Sequence, residues 1–572
     1  MNLKISHCVL GCVLAVALSA SADAPPAANE KPDVLLATMQ QELQRAQSSL
    51  GKLDPAPYYL SYSVYDQSVS VAIGTQGGLV NSTNARRRSA DVTMRIGSPA
   101  LDNSHEQSRA SAISSGALAL DDDRDAIARE LWRLTYEEYR KASNAYSNVK
   151  TSKDVQAAEE DTSPDFSEEK PTSHADYKDL APAPDHKAME KMARDYSALF
   201  RKYSYVYSST VVITAQETRL RFASTEGHHV VTPGSIIRMS IEAATIATDG
   251  MELMRVETFQ AESLNHLPPA SEIAAHVERM AADLKALRDA PVADPFDGPA
   301  LLSGRAAAVF FHEVLGHRLE GHRQRGEKEG QTFTKKVNQL VLPEFLSVVD
   351  DPTQRSLSGM DLGGWYEYDN EGMPATRVEV IKDGVLKDFL MSRMPIKNFS
   401  HSNGHGRSQP GLMPTGRQGN LIVSSTRTVK DAELRQKLID EVKKQGKPYG
   451  LYFEDIQGGF TLTQRGAPQA FQVLPVMVWR VYADGRPDEL VRGVDIVGTP
   501  LAAMNRILLT GEKTDVFNGM CGAESGQVPV AAAAPAMLFS EIEVQKRAHG
   551  LNRPPILPTP GDAADSEKGK PQ

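Results

Sequence analysis

Three histidines and two glutamates lie within the fourteen residues 310-FFHEVLGHRLEGHR-323. A helix that binds zinc for peptide hydrolysis commonly reads H-E-x-x-H, which places two histidines on one face. Here three residues separate Glu313 from His317, so the candidate ligands His312 and His317 are five positions apart. On a regular α-helix this spacing turns the second side chain about 140° away from the first. A π-turn returns the pair to within about 50°, so a metal site here requires a bulged helix or one that ends near Gly316.

The other polar residues of this stretch suggest how such a site would work. Glu313 would stand beside the metal without binding it, take a proton from metal-bound water and pass it to the leaving amine. A catalytic zinc has three protein ligands and one open position, so two histidines need a third partner. The candidates are His322, Glu320 and Cys521. The opposing interpretation is a His-rich helix that faces solvent and binds no metal.

The N-terminus has the pattern of an export signal. Lys4 precedes the short apolar run 8-CVLGCVLAVAL-18, and Ala20-Ser21-Ala22 fits the small-residue rule for cleavage. Residues 1–22 are therefore predicted to be a signal peptide cleaved near Ala22, and the mature chain is predicted to be periplasmic or secreted. A lipoprotein anchored through Cys12 is the less favoured alternative.

Cleavage would leave Cys521 as the one cysteine of the mature chain, because the other two lie within the signal. Exported proteins usually pair their cysteines or lack them. Zinc binding gives a reason to keep a single thiol, since thiolate is a soft ligand that suits this ion. The net charge of −10 argues against nucleic acid as the main partner, and no stretch after the signal approaches the length of a membrane span.

Hydrophobic patterning predicts an α+β fold in two domains. An N-terminal α+β domain covers residues 23–295 and carries an acidic insertion near 150–187, which is poor in large apolar residues and expected to be exposed. The Pro/Asp/Gly stretch 291–299 is interpreted as a linker. A strand-rich C-terminal domain covers 296–550, and residues 551–572 form a tail that is predicted to be disordered. Strands are predicted at 58–74, 89–97 and 204–225, helices at 122–148, 271–289 and 500–510, and hairpin turns at Asp383-Gly384 and Asp484-Gly485.

Several blocks of the sequence resemble the TldD/PmbA family of zinc metallopeptidases, in its TldD-like, motif-bearing form. The block 312-HEVLGHRLEG-321 is similar to the H-E-x-x-x-H signature of that family. The likeness continues through the C-terminal half in four further segments: 368-YDNEGMPATRVEVIKDGVLKDFL-390, 403-NGHGR-407, 414-PTGRQGNLIV-423 and 519-GMCGAESGQVPVAAAAPAMLFSEIEV-544. The N-terminal half resembles the family only loosely.

The resemblance implies a set of site residues and an activity. It implies that His312, His317 and Cys521 bind Zn²⁺ and that Glu313 is catalytic. It also implies a mixed α/β N-terminal domain, a β-rich C-terminal domain that carries the zinc helix, hydrolysis of unfolded or short peptides, and assembly into a homo- or hetero-oligomer with a family member. The alternatives are a non-enzymatic subunit that binds peptides or a partner and holds structural zinc, and a zinc hydrolase that acts on a non-peptide amide.

Two features depart from the family pattern or stay open. The family typically has an acidic residue where this chain has His322, which leaves His322 as an alternative ligand. Polar residues among glycines in the C-terminal half either line a substrate channel or form turns and salt bridges: Asp369, Glu371, Arg407 and Arg417. His401 and His405 are interpreted as loop residues and not as a second metal site.

Overall fold

The computed structural model describes residues 33–105, 112–153, 161–178, 184–325, 329–466 and 470–547. The predicted signal peptide (1–22), the predicted disordered tail (551–572) and part of the acidic insertion lie outside these ranges. Within them, no helix combines the length and the apolar character that crossing a membrane requires.

The N-terminal part is an antiparallel sheet covered by helices. Its strands follow the order β3-β2-β1-β6-β7-β5, with β4 beside β2 and β8 beside β7. The strands are β1 (Pro57–Thr75), β2 (Gly78–Ser98), β3 (Leu101–Asp102), β4 (Ile113–Ala117), β5 (Ser173–Ala175), β6 (Ser208–Ser224), β7 (His229–Ile246) and β8 (Glu252–Ala261). The helices are α1 (Val34–Leu50), α2 (Arg124–Lys153), α3 (His186–Ala198) and α4 (Ala270–Asp289).

The C-terminal part is built on a second, larger sheet. Its main path is β14-β13-β10-β17-β24-β22-β20-β19-β9, with β18, β21 and β23 attached to it. Its longer strands are β9 (Phe296–Leu302), β10 (Leu346–Asp350), β13 (Val378–Lys382), β17 (Asn420–Ser425), β19 (Tyr449–Thr461), β20 (Phe471–Tyr482), β22 (Val494–Gly498), β23 (Ile507–Ala523) and β24 (Gly526–Lys546). The short strands are β11 (Ser356–Leu357), β12 (Met360–Asp361), β14 (Val385–Leu386), β15 (Gly406–Arg407), β16 (Thr415–Gly416), β18 (Thr428–Val429) and β21 (Glu489–Val491).

Strand β9 pairs with β24 as well as with β19, so β24, β22, β20, β19 and β9 close into a ring. The helices of this part are α5 (Gly304–Phe311), α6 (His317–Leu319), α7 (Asp431–Lys444) and α8 (Pro500–Met504). Helix α5 packs against β24, β19 and β23, and its apolar side chains belong to the largest core cluster. The helix that leads to His312 is therefore held on several sides by strands.

These elements confirm the predicted fold class and most of the predicted segments. The turn at Asp383-Gly384 has positive φ at both residues and joins paired strands, as predicted. The predicted helix over 500–510 is wrong in its second half, because residues from Ile507 onward form β23 and pair with β24. The predicted linker 291–299 is also partly strand, because Phe296 begins β9 and stacks on Tyr449.

The expectation that residues 150–187 are exposed is wrong for the portion that the structure describes, 161–178. Asp165 accepts a hydrogen bond from Arg325 at 2.7 Å, and Phe166 is 4% exposed. The guanidinium carbons of Arg95 and Arg393 each lie 3.9 Å from the centroid of the Phe166 ring. This segment ties the N-terminal sheet to the C-terminal part, close to the end of the histidine-bearing stretch.

Candidate metal centre

The stretch that carries the histidines leaves α-helical geometry where the spacing requires it. Helix α5 begins at a cap in which Ser303 Oγ accepts the Ala306 amide at 3.1 Å. Residues His312–Gly316 form a single π-helical turn, and the chain returns to an α-turn at His317. Glu320 has extended backbone angles and ends the helix. The imidazole centroids of His312 and His317 are 5.1 Å apart, so the prediction of a bulged helix is confirmed.

Two histidines and one cysteine meet at this turn. The ligand atoms of His312, His317 and Cys521 all lie within 4.8 Å of one another. Cys521 Sγ is 3.4 Å from His317 Nε2, although 204 residues separate the two in the chain. All three residues are buried, and Cys521 reaches the helix near the tip of the β23–β24 hairpin, where it pairs with Val528.

The spacing and chemistry of these three donors suit a zinc ion. Zinc binds thiolate sulfur at about 2.3 Å and imidazole nitrogen at about 2.0–2.1 Å, so such ligands of one tetrahedral ion lie about 3.5 Å apart. The observed distance of 3.4 Å between Sγ and Nε2 matches this value. Two imidazoles and one thiolate also leave a fourth position for water or substrate, which is typical of catalytic sites.

The electrostatics of the cluster favour a cation between these residues. Burial raises the pKa of the Cys521 thiol, but His317 and His312 outweigh it and bring the pKa well below the usual thiol value. Burial lowers the pKa of His312 and His317, while Cys521 raises both and Glu320 further raises that of His317, with a net increase for each. The anionic sulfur therefore attracts positive charge, which protons supply here and which a metal ion would supply in their place.

Glu320 orients His317 and does not enter the cluster. Its Oε1 accepts a hydrogen bond from His317 Nδ1 at 3.1 Å, which directs Nε2 of the same ring toward Cys521. Burial raises the pKa of Glu320, but Arg323, His317 and Arg417 outweigh it, and the net pKa lies far below the usual range. An ionised carboxylate on the outer nitrogen of a ligand histidine fixes its tautomer and ring orientation.

The other candidate ligand, His322, also points away from the cluster. Its Nε2 contacts the carboxylate of Glu524, in the turn that follows Cys521. The residues that the structure brings together as possible ligands are therefore those that the family resemblance implies.

Glu313 stands beside the cluster without belonging to it. Its Oε2 is 4.0 Å from His317 Nε2, and the side chain is buried. The neighbouring strand leaves room for it, because a Cβ at Gly459 would lie 3.0 Å from Glu313 Cγ. The carboxylate is thus close to the open side of the cluster.

Arg417 is a structural partner of the site whose role the sequence analysis did not identify. Its Nη2 donates to Cys521 O at 2.8 Å and contacts Cys521 Sγ at 3.2 Å, and its Nη1 donates to Ser525 Oγ at 2.8 Å. The side chain is fully buried, so it does not line an open channel. The signal was the pair of arginines among glycines in 403–423, for which the salt-bridged interpretation proves correct at Arg417.

The remaining polar residues of this region also make structural contacts. Asp369 accepts the amides of Glu371, Met373 and Gly406. Glu371 accepts the Arg393 amide at 2.7 Å, and Arg407 donates to two backbone carbonyls. His405 is buried beside Asp350, whereas His401 is exposed. The structure therefore favours the turn-forming interpretation for Asp369, Glu371 and Arg407.

Replacing Gly316 by alanine should destabilise the protein by about 1–3 kcal/mol, the usual cost of overpacking. A Cβ at this position would lie 1.9 Å from Gln418 Oε1, and Gln418 also donates to the carbonyl of His312 at 3.4 Å. The free energy of unfolding, measured in denaturant, tests this expectation. Gly458→Ala is the matched control, because nothing lies within 4 Å of its Cβ position; equal stability of the two variants would contradict the proposed contact.

Comparison with known proteins agrees with this geometry. Residues 297–546 match the PmbA/TldA metallopeptidase C-terminal domain. The chain is 27% identical to a metalloprotease of Archaeoglobus fulgidus over 239 residues, which is 42% of this chain and 51% of that protein. It is 28% identical to a metalloprotease TldD homolog of Haemophilus influenzae over 250 residues, which is 43% of this chain and 48% of that protein. The chain thus spans about half the length of these curated relatives.

The fold likeness extends further than the sequence likeness. The structure of TldE from Thermococcus kodakarensis superposes with a TM-score of 0.57 at 13% identity, over 89% of this chain and all of that chain. This similarity includes the N-terminal part, where the matches to curated relatives do not reach.

Proposed function

Since residues 297–546 make this chain a member of the TldD/PmbA family, we propose that it is a zinc-dependent peptidase that hydrolyses unfolded or short peptides. The observation that carries the proposal is the buried group of His312, His317 and Cys521, with the Glu313 carboxylate beside it. A structural zinc site usually has four protein ligands and no adjacent free carboxylate. Three donors together with a neighbouring base favour catalysis.

The residues divide the work between holding an ion and moving a proton. His312 and His317 would hold zinc through imidazole nitrogens, and Cys521 would hold it through its thiolate. Zinc supplies Lewis acidity, which polarises a peptide carbonyl and makes water a better proton donor. Glu313 accepts the proton of the attacking water at its carboxylate and delivers it to the leaving amine nitrogen. Glu320 keeps Nδ1 of His317 protonated, so that Nε2 stays available.

Burial of the site supports the proposed substrate class. The side chains of His312, His317, Cys521 and Glu313 lie in residues that are at most 9% exposed. The surface of a folded protein cannot bring a peptide bond within reach of groups so deeply placed. A peptide in an extended, unfolded form can enter a narrow opening, so short or unfolded chains are the proposed substrates. Export and oligomeric assembly stay predictions of the sequence analysis.

Reactivity of Cys521 tests the metal half of this proposal. In protein loaded with Zn²⁺, Cys521 should resist alkylation, and removal of zinc with a chelator should make it reactive, because zinc occupies the sulfur lone pairs. Alkylation at Cys521 is quantified by mass spectrometry, which separates it from Cys8 and Cys12. Equal alkylation with and without the chelator would remove Cys521 from the site.

Turnover of a mixed library of quenched fluorescent peptides tests the catalytic half. The expected result is cleavage that a chelator abolishes and that one equivalent of Zn²⁺ restores. Protein that holds one zinc ion per chain and binds peptides but never cleaves them would overturn the proposal. That outcome would favour the alternative of a non-enzymatic subunit with structural zinc.

A further inference from the structure

The tip of the hairpin that carries Cys521 is tied to the end of the histidine-bearing stretch. Ala523 pairs with Gly526, so Glu524 and Ser525 form the turn between β23 and β24. Both carboxylate oxygens of Glu524 are engaged: Oε1 by His322 Nε2, and Oε2 by Arg323 Nη2 at 3.0 Å. The Glu524 side chain is 40% exposed, whereas that of His322 is buried. A partly exposed turn residue thus grips two residues that follow the metal helix.

This contact closes a continuous path between two of the proposed ligands. Arg323 Nε donates to Glu320 Oε2 at 2.7 Å, and Glu320 Oε1 accepts from His317 Nδ1 at 3.1 Å. The path therefore runs from His317 through Glu320, Arg323 and Glu524 to the turn three residues after Cys521. Arg417 forms a second, shorter path, because its Nε lies 3.3 Å from Glu320 Oε1 and its Nη2 donates to Cys521 O.

The hairpin tip depends on such ties. Beyond Ala531, where β24 also pairs with Asn420 of β17, residues 519–523 of β23 pair only with residues 526–530 of β24 among the described strands. A two-stranded ribbon on its own is marginally stable in water. Cys521 lies in this ribbon, so the position of its sulfur is set by what holds the tip and not by the sheet.

We infer that Glu524 is a positioning residue, which acts through His322 and Arg323 to hold the Cys521 ribbon at ligating distance from His317. The inference rests on the proposed metal function, and it assigns to Glu524 and His322 a role that concerns the geometry of the thiolate. Neither residue touches the metal position. Loosening the turn should let Cys521 move away from the two histidines without unfolding the domain.

The test compares Glu524→Gln, which removes the charge and keeps the shape, with Asp488→Asn as a matched control. Asp488 is a partly exposed acceptor of Arg435 on the same part of the protein. Two quantities are measured on the full chain: the Zn²⁺ dissociation constant by chelator competition, and the alkylation rate of Cys521 in metal-free protein. Loss of a partner of this kind typically weakens metal binding about 10–100-fold. Glu524→Gln should show this loss and faster alkylation, with an unfolding temperature like that of the control.

Coupling between the two residues gives the sharper result. His322→Ala should weaken Zn²⁺ binding in the same direction, and the double variant His322→Ala/Glu524→Ala should be no weaker than the single Glu524→Ala variant, because both remove one contact. His322→Gln, which keeps a donor, should recover part of the affinity. Metal affinity and metal-free alkylation that stay within about twofold of the unchanged protein would overturn the inference.

Failure of the inference can be told apart from failure of the proposed function. If unchanged protein binds no Zn²⁺, the proposed function is wrong and the inference about ligation falls with it. If unchanged protein binds Zn²⁺ tightly while Glu524→Gln matches it in both measurements, the metal function stands and only the positioning role is lost.

Discussion

Glu313→Gln is expected to lower kcat/KM for peptide hydrolysis by about 10²–10⁴-fold, the contribution of a positioned general base, while zinc stays bound. Glutamine preserves the shape of the side chain beside Gly459, where a Cβ would already lie 3.0 Å from Glu313 Cγ. It cannot accept and return a proton, however. Because Glu313 is not among the three residues whose ligand atoms cluster, its replacement should leave the metal content unchanged.

The measurement pairs the kinetics of a cleaved peptide with metal analysis of the same sample. Glu541→Gln is a suitable control, because Glu541 pairs with Arg506 at the surface of the same part of the protein. Unchanged turnover by Glu313→Gln would assign the proton transfer to another group. Loss of both metal and activity would instead make Glu313 a ligand.

His317→Ala should lower zinc affinity more than any substitution of an outer partner, for which the loss is about 10–100-fold. The substitution removes the nitrogen that lies 3.4 Å from Cys521 Sγ, and it also leaves Glu320 buried without the imidazole that it orients. The purified variant should contain a small fraction of one zinc ion per chain. Elemental analysis and chelator competition measure this directly.

His322→Ala is the informative comparison for this variant. Both residues are buried histidines of the same stretch, but His322 contacts Glu524 and lies outside the ligand cluster. It should therefore retain zinc at saturating concentration, although with weaker binding. Retention of zinc by His317→Ala together with its loss from His322→Ala would show that the five-residue spacing is not the ligand spacing.

The part of the site that sequence could predict is the part governed by local geometry. The angle between His312 and His317 follows from residues per turn, and Gly316 marks where the helix can deform, so the π-turn was predictable from five residues. The meeting of Cys521 with these histidines is different. It depends on the pairing of β23 with β24 and on the packing of α5 against both strands, which spacing along the chain does not encode. An unexplained single thiol and the family resemblance supplied that link.

The errors of prediction arose where charged residues are buried. Residues 161–178 contain few large apolar side chains, so composition indicated an exposed segment. The structure buries them by pairing: Asp165 meets Arg325, and Phe166 lies between two guanidiniums. The same applies to Arg417, whose full burial is paid for by acceptors on the Cys521 hairpin. Hydrophobic periodicity cannot reveal partners that are distant in sequence and opposite in charge.

The π-turn at His312–Gly316 has an evolutionary consequence. Deleting one residue between Glu313 and His317 would produce the familiar H-E-x-x-H spacing and keep two histidines on one helical face. It would also rotate every following residue by about 100° and draw it back by about 1.5 Å. Glu320, Arg323 and the contact between His322 and Glu524 would lose their register with the hairpin that carries Cys521. The two histidine spacings are therefore separate solutions, and no single deletion leads from this one to the other through a working intermediate.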